Sequence, residues 1–160
     1  MNKMTSAEKK IRKYMAEHGF ENRIIDFHNT DITAESTADA LDVDTDRICK
    51  GLAFREKSGG IVVLASGNAR VDNRKFKEMM GFRPSMLPAE KVEEIIGHEP
   101  GAINPFCLNE GVKLYLDFSI MKHKNETVFP GIGGKDSVIE LTVDELEKLS
   151  EPVCWINVTK

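Results

Sequence analysis

The sequence predicts one α+β domain in which helices wrap a mixed sheet, and three observations lead there. Residues 51–54 and 61–65 are apolar runs joined by Lys57, Ser58, Gly59 and Gly60, a hairpin whose strands are buried on both faces. A second strand pattern alternates from Val112. Between and around these runs lie amphipathic stretches, each opened by a residue that caps helices. At 160 residues the chain is long enough for one self-sufficient core, so a single domain spanning residues 1–160 is expected.

The elements follow in order. Thr5 with Glu8 forms a capping box ahead of Ile11, Tyr14 and Met15, and Gly19 suits the position that closes this helix. Residues 23–28 read as a short strand carrying Ile24, Ile25 and Phe27. Thr33 caps a helix over 34–41, and Thr45 or Asp46 opens a short turn reaching Cys49. After the hairpin, Asp72 caps a helix over 74–80 that Gly81 ends, and Pro88 starts another with Val92, Ile95 and Ile96 at helical spacing. In residues 112–119, Val112, Leu114, Leu116 and Phe118 point one way, while Lys113, Tyr115, Asp117 and Ser119 form a polar or wet face. A strand over 138–141, a capping box of Thr142 with Glu145 and a last strand over 153–158 complete the chain.

Composition narrows the function. Twenty-two basic and 26 acidic side chains leave a formal charge of −4, unlike proteins that grip nucleic acid non-specifically through many phosphate contacts. Local engagement of one RNA end remains compatible with the cluster Arg70, Arg74, Lys75 and Lys77, or with Lys122 and Lys124. The polar start Met1–Thr5 lacks the apolar region of a signal peptide, and no run approaches a membrane span. Three widely spaced cysteines, Cys49, Cys107 and Cys154, argue against a disulfide framework and for a reducing cytoplasm. His18, His28, His98 and His123 are scattered, so neither a metal site nor a cofactor is expected.

Two loops and one lysine carry the chemistry. Residues 97–106 hold two glycines and two prolines, which stiffen an irregular backbone able to aim its N–H groups at a ligand oxygen. Residues 130–135 form a second glycine-rich loop through Gly131, Gly133 and Gly134, without the Lys-Ser/Thr pair of a P-loop. Lys50, at the mouth of the first hairpin strand, is either a snorkelling surface charge or a fixed cation beside a cleft. No Ser-His-Asp or Cys-His set is legible. Cys49 and Cys107 read as packing residues, although a cysteine-dependent hydrolase would predict inactivation by a thiol reagent.

The ordered set is more specific than its parts: Lys50 before a Leu/Phe strand, the segment 67–72 (Gly-Asn-Ala-Arg-Val-Asp), the Gly101-x-x-x-Pro105-Phe106 loop, the strand ending at Ser119, and Gly133-Gly134 before Ile139-Glu140-Leu141. It closely resembles the YbaK/ProX/EbsC family of aminoacyl-tRNA deacylases, also found as the editing insertion of bacterial prolyl-tRNA synthetases, over roughly residues 24–149. The resemblance implies a largely antiparallel, barrel-like mixed sheet surrounded by helices. It implies hydrolysis of the ester joining a wrong amino acid to the 3′-terminal adenosine of a tRNA, with Cys-tRNA(Pro) or Ala-tRNA(Pro) as the default substrate. The tRNA acceptor end, and prolyl-tRNA synthetase as a candidate helper, are the implied partners.

Carried over by motif, Lys50 is the implied catalytic residue, holding the terminal phosphate or carbonyl region. Phe27 and His28, the loop Gly101, Ala102, Ile103, Asn104 and Pro105, then Ser119, Gly133 and Gly134 are the implied substrate-binding positions. In such a site the free ribose hydroxyl, or a substrate thiol, supplies the acid–base function. Cys107 after Pro105-Phe106, and the acidic placement around Asp136, depart from the family pattern and bear on which amino acid is removed. A non-catalytic adaptor of the same fold, binding aminoacyl-tRNA or a synthetase, is the alternative reading.

Overall fold

The helices begin where the capping chemistry places them. The structure, a computed structural model, describes residues 4–57 and 59–160, so the start Met1 to Lys3 and Ser58 in the hairpin connection lie outside the described residues. Helix α1 (Ser6–Glu17) is capped by the Thr5 hydroxyl, which accepts from the Glu8 N–H, and buries Ile11 and Met15. Strand β1 (Ile24–Asp26) follows. Helix α2 (Ala34–Leu41) opens on a reciprocal Thr33–Ser36 capping box. Strands β2 (Ile48–Glu56) and β3 (Gly59–Ser66) form the hairpin, whose ladder runs on to Glu56 opposite Gly59. Helices α3 (Asn73–Met80) and α4 (Ala89–Ile96) close on left-handed Gly81 and Gly97. Strand β4 (Lys113–Asp117), a 3₁₀ segment (Phe118–His123), β5 (Thr127–Pro130), β6 (Ser137–Ile139) and β7 (Leu141–Thr142) lead to α5 (Val143–Ser150) and β8 (Cys154–Ile156). The predicted Thr142–Glu145 capping box opens α5.

A curled six-stranded sheet, in the order β7-β5-β2-β3-β4-β8, forms a half-barrel, and β1 pairs with β6 in a small second sheet. The sheet is mixed. The longest ladder, β2 with β3, is antiparallel, as is β5 with β7, while β2–β5, β3–β4 and β4–β8 are parallel. Ile11, Met15, Val92, Ile96, Leu146 and Leu149 of α1, α4 and α5 pack into the main core with Val62, Leu64, Leu114 and Leu116. Phe76 of α3 anchors a second cluster with Phe54, Ile61, Val63, Tyr115 and Ile156.

That second cluster corrects one expectation. The alternation in β4 marks Tyr115 and Asp117 as a wet face, but α3 and the chain that follows β8 cover it. Tyr115 is buried, and Asp117 is fully enclosed. The Asp117 carboxylate is satisfied by the N–H groups of Ser119 and Val158 and the Thr159 hydroxyl, at 2.9, 2.9 and 2.6 Å. Phe118, expected to face the core, lies beyond the strand and is half exposed, stacked on Trp155.

Strand β5 escapes the sequence reading, and it positions the site. Its parallel register sets Phe129 beside Ile48 and Pro130 beside Cys49, so the chain leaves the sheet at Gly131 next to Lys50.

Candidate active site: a cleft between two glycine loops

Lys50 leaves β2 at the register opposite Ala65. Its ammonium donates to the carbonyl oxygens of Gly67, at 3.2 Å, and Ala69, both in the turn that follows β3. A lysine has three N–H donors, so one remains for an occupant of the cleft. Burial pushes the ammonium below the ordinary lysine range. Glu35 opposes this shift, and Arg70 adds to it.

The loop after α4 is rigid for reasons written in its side chains. His98 is buried, with Nε2 2.8 Å from the Phe106 carbonyl and Nδ1 3.3 Å from the Asn104 N–H. A carbonyl only accepts and an amide N–H only donates, so the ring is neutral with its proton on Nε2. Burial holds its pKa down to about 4, against the bond to Phe106. The Asn104 side chain accepts from Phe106 N–H at 2.9 Å and donates to the Ala102 carbonyl at 3.0 Å. These bonds fix residues 98–106 as one piece. Gly101 takes φ +83°, as its sequence role requires.

The second loop is tied on its outer side. Phe27 N–H donates to the Asp136 carbonyl at 2.8 Å, Asn29 N–H to the Asp136 carboxylate at 2.9 Å, and the Asn29 side chain to the Lys135 carbonyl at 3.1 Å. Asp136 thus holds the 27–29 segment against the loop.

Between the two loops and Lys50 lies a cleft of about 320 Å³. Of the positions marked in the sequence, Lys50, Phe27, Gly101, Ala102, Ile103, Gly133 and Gly134 line it. His28, Asn104, Pro105 and Ser119 are not among its lining residues. His28 is exposed, and Asn104 and Pro105 are buried in the loop's interior. The Ser119 hydroxyl accepts from Ser66 N–H at 3.0 Å, bracing the end of β3. Ile32, Glu35, Thr37, Phe129 and Ser137 complete the walls without having been singled out, since their sequence surroundings carry no motif. Cys49 also reaches the cleft, but burial raises its thiol far above the ordinary range, and burial raises Cys107 as well. Neither is set up as a thiolate nucleophile. Among the described residues no cluster of His, Cys, Asp and Glu could hold a metal, and no helix is long and apolar enough to cross a membrane.

The half-barrel thus brings Lys50, the 101–103 segment and the 133–134 loop around one cleft. Residues 28–149 match the family model of the aminoacyl-tRNA editing domain, and the chain belongs to that family. It is 37% identical to the uncharacterized protein YwhH of Bacillus subtilis, over 95% of this chain and 96% of that one. A proline–tRNA ligase of Bacillus pumilus is 30% identical over 55% of this chain, which corresponds to 16% of the ligase. The fold also superposes, with a TM-score of 0.84 and 21% identity over 99% of both chains, on a crystal structure of a candidate trans-editing enzyme for prolyl tRNA synthetase.

Proposed function

We propose that this protein is a trans-editing hydrolase that removes a wrong amino acid from tRNA, with Cys-tRNA(Pro) and Ala-tRNA(Pro) as its first candidate substrates. The observation that carries this reading is the meeting of Lys50 with the loops at 101–103 and 133–134 around one cleft. At about 320 Å³ the cleft is at the small end of ligand cavities, suited to a small aminoacyl group at the end of an adenosine.

In the reaction, water adds to the ester carbonyl and the bond from that carbon to the ribose oxygen breaks. The amino acid leaves as its carboxylate, and the ribose oxygen regains a proton. Lys50 holds the terminal phosphate or the carbonyl region, so that its charge meets the developing oxyanion. The Gly101-to-Ile103 backbone shapes the acyl pocket. Such an ester is reactive enough that positioning and one cation suffice, and the neighbouring ribose hydroxyl is the natural proton carrier. Prolyl-tRNA synthetase is a reasonable recruiter of the RNA, because the chain's net charge of −4 gives it little pull of its own.

The test is deacylation of a panel of mischarged tRNAs by the wild type and Lys50→Ala. The variant is expected to fold normally and to lose roughly a hundredfold or more in rate. Full activity in Lys50→Ala overturns the assignment. Binding without turnover by the wild type would mark an adaptor.

A further inference from the structure

We propose that Glu8 of α1 recognises the α-ammonium group of the aminoacyl ester, through a second cavity that adjoins the cleft; this rests on the deacylase reading above. The second cavity is about 340 Å³ and shares Ile32, Ala102, Gly133, Gly134, Lys135 and Ser137 with the first as a common wall. Glu8 lies outside the 28–149 segment matched by the editing-domain model, so the family match assigns it nothing.

Glu8 is unusual for a carboxylate because only 7% of its surface is exposed. One oxygen, Oε2, is satisfied: Arg12 donates at 2.9 Å and the Ser137 hydroxyl at 3.3 Å. The other, Oε1, has no hydrogen-bond partner among the described residues. It lies so close to the common wall that a Cβ built on Gly134 would sit 2.5 Å from it. This oxygen is not sealed away from solvent, so it is open to an N–H⁺ that enters the cavity Glu8 lines.

The surrounding charge favours a cation over a phosphate. Glu8, Asp26, Glu99 and Asp136 line the cavity against Arg12 and Lys135. Arg12 is shared, 2.9 Å from Glu8 and 2.6 Å from Asp26, so the three groups together stay formally negative. Every aminoacyl ester carries an ammonium one carbon from its carbonyl, so a site that reads the acyl carbon has a cation beside it. Glu35, the carboxylate that lines the first cleft itself, is exposed to solvent, where an ion pair gains little. The Ser137 hydroxyl, buried and lining both cavities, links the Glu8 carboxylate to the first cleft.

The experiment compares two adenosine ligands in which an amide replaces the ester: 3′-alanylamino-3′-deoxyadenosine and its propionyl counterpart lacking the amine. Calorimetry at about pH 6 keeps the amine protonated. Wild type is expected to bind the amine about tenfold to a hundredfold more tightly. Glu8→Gln, which keeps the side chain's shape, should bind both alike with an unchanged melting temperature, and should raise KM for aminoacyl-tRNA more than it lowers kcat. Absence of amine preference in the wild type, failure of both ligands to bind it, or survival of the preference in Glu8→Gln overturns the proposal. Hydrolysis of mischarged tRNA without amine preference would sink the Glu8 assignment alone. Amine preference without hydrolysis would sink the deacylase reading instead.

Discussion

Gly51 and Ile103 touch through their backbones: a Cβ on Gly51 would lie 2.6 Å from the Ile103 carbonyl oxygen and 2.8 Å from its Cγ2. The residue after Lys50 is therefore small so that the 97–106 loop can seat against β2. The backbone of Gly51 is ordinary extended strand, so any penalty for a side chain there is one of space. Gly51→Ala should push the loop outward by displacing its main chain, which cannot rotate away as a side chain would. We expect about 1–3 kcal/mol of destabilisation, measured by urea denaturation. Deacylation should fall at least tenfold with Lys50 untouched, since a shift of an ångström at a reacting centre is costly. Unchanged kcat/KM would mean that loop position does not govern the reaction.

The paired glycines of the other loop have unequal reasons to be glycine. At Gly133, φ is +106° and a Cβ would meet the Glu8 backbone at 3.1 Å, so an alanine is both strained and crowded by main chain. At Gly134 the crowding atom is the far end of the Glu8 side chain, which can swing aside. Gly133→Ala should cost about 1–3 kcal/mol, and Gly134→Ala distinctly less. Thermal melts of the two variants check the ranking, and the reverse order would show that α1 yields more readily than the Glu8 carboxylate does.

How far the chain announces this architecture depends on the length scale of the signal. Capping residues act within one turn, so Thr5, Thr33, Asp72 and Thr142 place their helices correctly. The hairpin is legible because both strands are continuous apolar runs. Strand β5 is four residues long and ends in Pro130, too short for any periodicity, and it is held by parallel pairing with a strand 81 positions earlier. The covering of Tyr115 and Asp117 is likewise set at a distance, by α3 and by Val158 and Thr159 after β8. Lys50 and the two loops stand out by residue type, whereas Ile32, Glu35, Thr37 and Glu8 reach the cavities through tertiary packing alone. His98 reads as an unremarkable histidine until its two bonds across the loop are seen.

Thiol chemistry separates this mechanism from a cysteine hydrolase. Cys154 is exposed, Cys107 is half-buried and Cys49 is buried, with burial disfavouring the thiolate at the latter two. Iodoacetamide at neutral pH should modify Cys154 first, by peptide mass spectrometry, with deacylation unchanged. Cys107→Ser should keep activity within a few-fold. Loss of turnover in step with labelling of Cys49 would restore the nucleophile.

His98 gives the fold a pH dependence that can be isolated. Its folded pKa is about 4 against an ordinary 6.5, because the ring is buried and the Lys10 charge adds to the effect, against the bond to the Phe106 carbonyl. Above the unfolded value both states are neutral at this ring, and nothing is lost. As pH falls from 6.5 toward 4 the unfolded chain takes up a proton that the folded chain refuses, so stability declines across that window and levels below it. The full decline is on the order of 3 kcal/mol. Asp46 and Glu145, whose carboxyl groups lie below their ordinary values of 3.8 and 4.5, give up their contributions mainly below this range. His98→Gln can still donate to the Phe106 carbonyl but cannot titrate. It should cost about 1 kcal/mol at neutral pH and flatten the fall between the two pKa values, read from urea midpoints taken at a series of pH. A variant with the wild-type slope would show that His98 titrates alike in the folded and unfolded chain and does not carry this pH dependence.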